Sequence, residues 1–571
     1  MTAADWIVLI ATLLLIVVYG LYKSRTSRDL EGYFLSNRTM PWWLILLSIM
    51  GTQASAITFL SAPGQAFTDG MRFVQYYFGL PLAMVILCIT FVPAFSKLKV
   101  FTPYEFLEQR FDVKTRTFTA ALFLLSRGFS TGISVYAPSI IISSLFGWNI
   151  FYTNILMGGI LIIYTVSGGA KAVAYTQQLQ LIIIITSMCI AGYYVVHLLP
   201  DNIGFSDALK VSGASGKLNV ITTGFDKNGF VWKDKYNIVG GVIGGFFLAL
   251  SYFGTDHSQV GRYLTAKDNI QSKLSLLMNG LVKVPMQFLI LLLGALLFVF
   301  YQFQSSPVFF NKAVETKTYA APYNDSLKNI SDAFNTINTK QKALAADYVT
   351  ALKSGSTLSA GIKTQLQRLN TQANHLRDQY KTLLKKADPS VDTNDTNYIF
   401  LRFVIDNLPK GLVGLLIAMI FLASWGSIAA ALNSLAGCSV VDFYVRFKKH
   451  KTHLDVDEHH YKVSKWFTFA WGVFCIIIAE FANRMGSLIE AVNILGSLFY
   501  GVILGIFLAA FYFKKINGTA VFISAVISEV FVVILFILDN NNIIGLGFLW
   551  LNVIGAAAVV LLGMLFQKIL K

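Results

Sequence analysis

Charge is what this chain has least of. Only 13% of its 571 residues are charged, 55% are hydrophobic, and the mean hydropathy is +0.60. A soluble domain carries about 25% charged residues, so a soluble fold is excluded and a chain that crosses a membrane many times is implied. Cysteine is scarce too. Cys88, Cys189, Cys438 and Cys475 all lie in or beside apolar runs, and no disulfide framework is implied. Histidines gather only at His450, His453, His459 and His460, with Asp455, Asp457 and Glu458. Their spacing matches no zinc pattern, and a solvated loop is the simpler reading. A glycine-rich phosphate loop is missing, and no Ser/His/Asp set sits on a soluble scaffold, which argues against an ATP-driven pump and against an enzyme. The net charge of +16 comes without a basic stripe or stacking motif for nucleic acid. Basic loops are what membrane topology demands.

What the chain does have is apolar runs. The first, Trp6 to Tyr22, has no basic residue before it and no small-residue cleavage pattern after it, and reads as a retained anchor. Lys23, Arg25, Arg28 and Arg38 follow, which places that loop in the cytoplasm and the N-terminus outside. Further spans are expected near 42–67, 73–96, 117–145, 149–167, 172–198, 237–260, 273–304, 408–440, 461–483, 487–512, 519–538 and 544–567, about thirteen in all. Basic clusters such as Lys97/Lys99, Arg262/Lys267, Arg446/Lys448 and Lys514/Lys515 recur at alternate ends, so the C-terminus is also expected in the cytoplasm. The expected location is the plasma (inner) membrane.

One segment is not membrane. Residues 305–405 are polar, with apolar residues at helical spacing: Ile330, Phe334, Ile337, Leu344, Tyr348 and Leu352, then Ile362, Leu366, Leu369, Ala373, Leu376, Tyr380 and Leu383. A Lys353-Ser-Gly-Ser-Thr break separates them. This predicts an extracytoplasmic helical hairpin with arms of roughly 40 Å. It is either an inert or lid-like insertion or a platform for an external partner. The chain then divides into 1–40 (extra helix and cytoplasmic loop), 41–304 (first repeat and start of a second), 305–405 (the insertion), 406–515 (rest of the second repeat) and 516–571 (C-terminal extra helices).

Polar residues at membrane depth are the functional candidates. Gly51-Thr-Gln-Ala-Ser-Ala-Ile-Thr-Phe-Leu60 occupies the centre of an apolar run. It reads either as a small-residue packing seam or as a broken helix whose freed backbone lines a cavity. Gly240-Gly-Val-Ile-Gly-Gly245, leading into Ser251-Tyr-Phe-Gly-Thr-Asp256, is a second interrupted span five spans later. Paired interruptions of this kind point to an inverted-repeat transporter. Lys283 lies about two turns inside its span and Arg127 lies similarly. Snorkelling to headgroups is the alternative for both. Ala423-Ser-Trp-Gly-Ser427 and Asn433-Ser434 bring small and hydroxyl groups to a later span, suited to close packing or to a hard cation.

Several blocks carry a resemblance: Ser55-Ala56, Thr102-Pro-Tyr-Glu-Phe-Leu-Glu-Gln-Arg-Phe111, Gly132-Ile-Ser-Val-Tyr-Ala-Pro138, Gly168-Gly-Ala-Lys-Ala-Val-Ala-Tyr-Thr176 and Ser258-Gln-Val-Gly-Arg262. Over about residues 5–300 and 408–515 the chain resembles the sodium:solute symporter family, the group of the sodium/glucose, sodium/monocarboxylate and sodium/multivitamin cotransporters. The resemblance implies an all-α polytopic membrane protein with a LeuT-type core of two inverted five-helix repeats. It implies sodium as coupling ion, no further cofactor, and import of a small organic solute by alternating access. A channel or a sensor on a transporter fold is the rival class.

Carried over by position, the resemblance places sodium among the carbonyls of Gly51, Ala54 and Ala423 and the hydroxyl of Ser427. Where the family usually has a hydroxyl before Ser427, this chain has Gly426. Ser424 is turned about 200° away on a helix, so water is left to fill the gap. The solute is placed between Gln53, Thr58, Tyr76, Tyr77, Lys283 and Asn493, with Tyr252 as an inner gate. Sugar-transporting members carry a glutamate, an asparagine and a glutamine where this chain has Tyr77, Ala249 and Val492. A hexose would leave hydroxyls unpaired here. Lys283 and Arg127 suit a carboxylate, so an anionic solute (a monocarboxylate, vitamin or acidic sugar) is preferred over a neutral sugar. Gln177 stands where family members commonly carry an aspartate of a second sodium site, which implies one sodium per cycle unless Gln177 is only a packing residue. Proton coupling through Asp256 or His257 is the remaining alternative.

Overall fold

Hydrocarbon offers backbone groups no partners, so apolar segments that cross it must satisfy their own hydrogen bonds as helices. The computed structural model describes residues 1–23, 35–167, 170–320, 323–354, 359–389, 391–447, 456–482 and 487–570. Among these, ten helices are long and apolar enough to cross a membrane, and three shorter apolar ones, Trp42–Gln53, Ile150–Val166 and Gly240–Thr255, complete the set. The expected thirteen spans are all present as helices.

α1 (Ala3–Lys23) precedes a first set of five spans. The first span is split into α2 (Trp42–Gln53) and α3 (Ala56–Asp69). A tight 3₁₀ stretch, Gly70–Tyr77, leads into α4 (80–98). The short α5 (Pro103–Arg110) then lies before α6 (Val113–Phe146), α7 (Ile150–Ser167) and α8 (Ala170–His197). The polar 200–236 stretch holds α9 (Phe205–Ala214) and a two-strand ribbon, β1 (Phe225–Asp226) with β2 (Gly229–Phe230), which hydropathy alone did not predict. A second set of five begins with another split span, α10 (Gly245–Thr255) and α11 (His257–Tyr263), followed by α12 (Asn269–Phe303). The insertion supplies α13 (Tyr323–Lys353) and α14 (Ser359–Ala387), and its base supplies α15 (Ile399–Asn407). α16 (Leu412–Cys438, continuing to Phe447), α17 (Val456–Ala479) and α18 (Leu488–Tyr512) complete the second set, and α19 (Gly518–Asn540) and α20 (Leu549–Ile569) pack on its outside. This is the all-α, LeuT-type architecture of two five-span repeats that begin alike with a broken helix.

Local chemistry explains several boundaries. Asp112, Asp268 and Asn517 accept the backbone N–H groups of Thr115, Gln271 and Ala520, capping α6, α12 and α19. Glu105 Oε1 accepts the N–H groups of Phe101 and Thr102 at the start of α5, with Pro103 at its first position. α5 is then fastened by charge. Arg116 donates to Asp442 at 2.8 Å and to Glu108 at 2.7 Å, tying α5 and α6 to the end of α16. Arg110 donates to carbonyls at the end of α18, including Ala510 at 3.2 Å and Lys514 at 3.0 Å.

The glycine run of 240–245 corrects an expectation. It is not the break. It is a widened but continuous helical turn, and its glycines admit neighbouring backbone: a Cβ at Gly241 would strike the carbonyl of Gln75, and one at Gly245 would lie 2.5 Å from the carbonyl of Tyr76. The discontinuity comes at Asp256, between α10 and α11.

The insertion is helical on both sides of residues 355–358, and most of the expected Lys353-Ser-Gly-Ser-Thr turn lies in that stretch, outside the described residues. The arms are 31 and 29 residues long and lie down over the bundle. Lys353 reaches Asp207 at 3.0 Å and the carbonyl of Asn202, while Gln367 donates to the carbonyl of Ala214. Arg377 donates to Ser306 and Pro307 and covers the rings of Phe310 and Phe334. At its base, Gly64 of α3 lets the backbone of Thr396 approach directly.

Candidate functional site

The first break is built by the small, polar centre of its span. The helical ladder of α2 ends with Ala54 N–H bonded to Met50 at 2.8 Å. Ser55 N–H turns back to Gln53 at 2.9 Å, so the carbonyl of Gly51 loses its usual donor four residues on. Ser55 is extended, and α3 starts afresh when Thr58 N–H bonds Ser55. Freed carbonyls at membrane depth are ready-made cation ligands.

Beside this break lies a cavity of about 150 Å³. Gln53, Thr58, Tyr76, Tyr77, Tyr252, Lys283 and Asn493 all line it, drawn from five different spans. Tyr76 donates to Asn493 Oδ1 at 2.8 Å, joining the two sets of spans across the cavity. Lys283 is 2% exposed, and its ammonium sits 5.7 Å from the centre of the Tyr77 ring. No ion pair engages it among the described residues; the aromatic face is its neighbour. Gln53 donates to Asn279 Oδ1 at 3.1 Å. Asn279 was not foreseen, yet Asn279, Lys283 and Gln287 recur every four residues in an apolar helix and form a polar stripe that sequence does show.

A second cavity, about 80 Å³, lies next to the first. Ser427, Thr52 and Thr131 line it, and Gln53, Ser55, Arg127, Ser130, Tyr252 and Val492 line both. Arg127 and Tyr252 thus form the partition between the two, with the guanidinium 6.0 Å from the ring centre. Gln259 Nε2 donates to the Tyr252 hydroxyl at 2.7 Å and fixes the ring from below. Arg127 Nη1 is 4.0 Å from Asp256 Oδ2, at the second break. Asp256 also caps α11 by accepting Ser258 N–H at 2.7 Å.

Of the four residues assigned to sodium, Ser427 lines this second cavity. Its hydroxyl also donates to the carbonyls of Ala423 at 3.0 Å and Ser424 at 3.1 Å, leaving its lone pairs free. Gly51 and Ala54 stand at the break of α2. Ala423 is buried one turn before Ser427 on α16, and the Ser424 hydroxyl is buried without a partner. Gln177 of α8 wedges between α2 and α16. Its Nε2 donates to the carbonyl of Gly426 at 3.0 Å and to Thr52 Oγ1 at 3.2 Å, and its Oε1 accepts from Ser48 at 2.8 Å. Among the described residues no cluster of three His, Cys, Asp or Glu side chains is placed to hold a metal ion. His450, His453 and Asp455 lie outside the described residues, as do Gly168 and Gly169 of the Gly-Gly-Ala-Lys block and Arg25 and Arg28 of the first loop.

Comparison with known proteins gives the same picture from another side. The family model described as "Sodium:solute symporter family" matches residues 33–323 and 385–528, leaving out most of the two arms of the hairpin and both ends of the chain, 1–32 and 529–571. The chain is similar to the sodium/sialic acid symporter NanT of Aliivibrio fischeri, 24% identical over 99% of this chain and 93% of that protein. It is similar to the sodium/sialic acid symporter SiaT of Proteus mirabilis, 24% identical over 98% of this chain and 94% of that protein. Among solved structures, a substrate-bound, outward-open Na⁺-coupled sialic acid symporter shares the fold with a TM-score of 0.73 at 22% identity, covering 100% of this chain and 98% of that one.

Proposed function

The chain belongs to the sodium:solute symporter family, and from that premise we propose that it imports a small organic anion together with sodium by alternating access. One observation carries the choice of an anion: Lys283 and Arg127 both line the 150 Å³ cavity, and Asp256 alone pairs with either among the described residues. The site therefore holds one cation in excess before any solute enters. A buried charge without a partner is costly, and a solute carboxylate is the group that relieves it. The tyrosines supply ring faces and hydroxyls for the rest of a compact molecule. The full-length similarity to proteins named as sialic acid symporters agrees with an acidic sugar as one member of that class.

Sodium takes the break of α2, beside Ser427. Binding there joins the freed carbonyls of the first span to α16, and the solute, one partition away, reads the result through Gln53, which lines both cavities. The alternation of basic loops orients the protein with its C-terminus in the cytoplasm and the hairpin outside. The test is uptake into proteoliposomes of labelled solutes (an acidic sugar, lactate, nicotinate and glucose) with and without an inward sodium gradient. Anion uptake that needs the gradient supports the reading. Uptake that follows a pH gradient and ignores sodium, or flux that ignores both, overturns it.

A further inference from the structure

One turn along α8 from Gln177, Gln180 turns its amide toward Gly426 of α16 and Tyr164 of α7. The side chain is 2% exposed. A Cβ built on Gly426 would overlap Gln180 Oε1 and would lie 3.5 Å from Gln180 Cδ. The amide oxygen therefore occupies the space that a side chain at position 426 would fill, directly beside Ser427. Its nitrogen is buried and makes no hydrogen bond of normal geometry, although the Tyr164 hydroxyl is a neighbour. Leaving a buried amide half satisfied is unfavourable, and a leucine or methionine would fill the same space without that cost.

We propose that Gln180 Oε1 is a cation ligand, supplying from the fifth span the oxygen that Gly426 lacks. This rests on the sodium reading above. Together with the carbonyls of Gly51, Ala54 and Ala423 and the hydroxyl of Ser427, it makes a fifth oxygen around a small hard ion. An amide oxygen is a stronger neutral donor than water because its dipole is fixed and its place is paid for at folding. The arrangement also has a mechanical meaning. A site built from α2 and α16 alone clamps two spans, whereas one that includes Gln180 clamps α8 as well.

The test is sodium-dependent thermal unfolding of the full-length protein in detergent, at constant ionic strength against choline chloride. An ion that binds the folded state raises its stability with concentration, and the curve yields an apparent Kd. Gln180→Leu keeps the volume and removes the oxygen, and it should raise the apparent Kd roughly tenfold or more. The double variant Gln180→Ala with Gly426→Ser moves the oxygen to α16 and should return the Kd to within about threefold of the starting value. An unchanged Kd in Gln180→Leu overturns the proposal. If that variant does not fold, a double variant that folds but binds sodium more weakly by the full tenfold overturns it instead. Ser427→Ala separates the two readings. Loss of the sodium response there, with the response kept in Gln180→Leu, removes Gln180 from the site but leaves the site in place. No response in the unmodified protein removes both.

Discussion

Tyr500 donates its hydroxyl to Asp256 Oδ2 at 2.8 Å, so the last span of the core grips the discontinuity between α10 and α11. Arg127 approaches the same oxygen from α6, at 4.0 Å. One carboxylate thus holds three spans at the floor of the cavity. Breaking a buried pair by removing one partner costs about 3–5 kcal/mol, because the other charge stays buried. Asp256→Asn is expected to lower the melting temperature of the purified protein markedly. Tyr500→Phe removes one donor to that carboxylate but leaves the charge pair in place, and should cost less, about 1.5–3 kcal/mol. Equal melting temperatures for Asp256→Asn and the unmodified protein would show that the guanidinium finds its partner elsewhere.

Among the described residues, no carboxylate pairs with Lys283. Lys283→Ala is expected to abolish uptake of an anionic solute in proteoliposomes, and Lys283→Arg to retain a small fraction of it with the charge displaced. Transport of a neutral sugar that survives Lys283→Gln unchanged would refute the carboxylate reading.

Ser427 lines the smaller cavity, whereas the Ser424 hydroxyl is buried away from it. Sodium activation of uptake should therefore need a severalfold higher concentration in Ser427→Ala and be nearly unaltered in Ser424→Ala. Two variants with the same sodium dependence would contradict the ligand assignment.

Gln177 spends both ends of its amide on protein groups: Gly426 and Thr52 on one side, Ser48 on the other. It offers no negative charge to a second ion. Hill analysis of sodium activation is expected to give a coefficient near one, and Gln177→Asp to raise it. A coefficient near two in the unmodified protein would show that a second ion binds without that carboxylate.

At the base of the insertion, burial raises the Asp392 carboxyl to about 6, and the N–H of Asn394 offsets only part of that shift. A carboxyl whose folded pKa lies above its unfolded value adds stability at low pH, and the contribution is lost as pH rises through the folded value. Thermal stability should therefore fall between pH 4 and pH 6 by a component that Asp392→Asn removes. The same slope in both proteins would rule this group out as its source.

The first break could be read from sequence because its cause is local. Gly51 and Ser55 lower the cost of leaving the helix. The second was misplaced because glycine has two uses. In 240–245 it serves contact with the backbone of Gln75 and Tyr76, a long-range fact, while the real break rests on the capping carboxylate of Asp256. Lys283 declared itself as a charge in an apolar helix, and Asn279 belonged to the same stripe. Gln180 did not, since its role depends on an absent side chain on another span. Sequence showed the hole at Gly426 but not what fills it.

The hairpin enters and leaves the bundle at one place. Lys317 and Asp388, just outside its two arms, are 2.7 Å apart, and the matched family regions stop and resume at 323 and 385. Chain ends that close together can be joined by a few residues of turn, and the same doorway accepts a guest. A fluorescent domain or an antibody epitope spliced between them would sit on the rim of the transporter without lengthening any span. Through Thr396 it would report directly on α3, the half of the first span that begins at the break after Gln53.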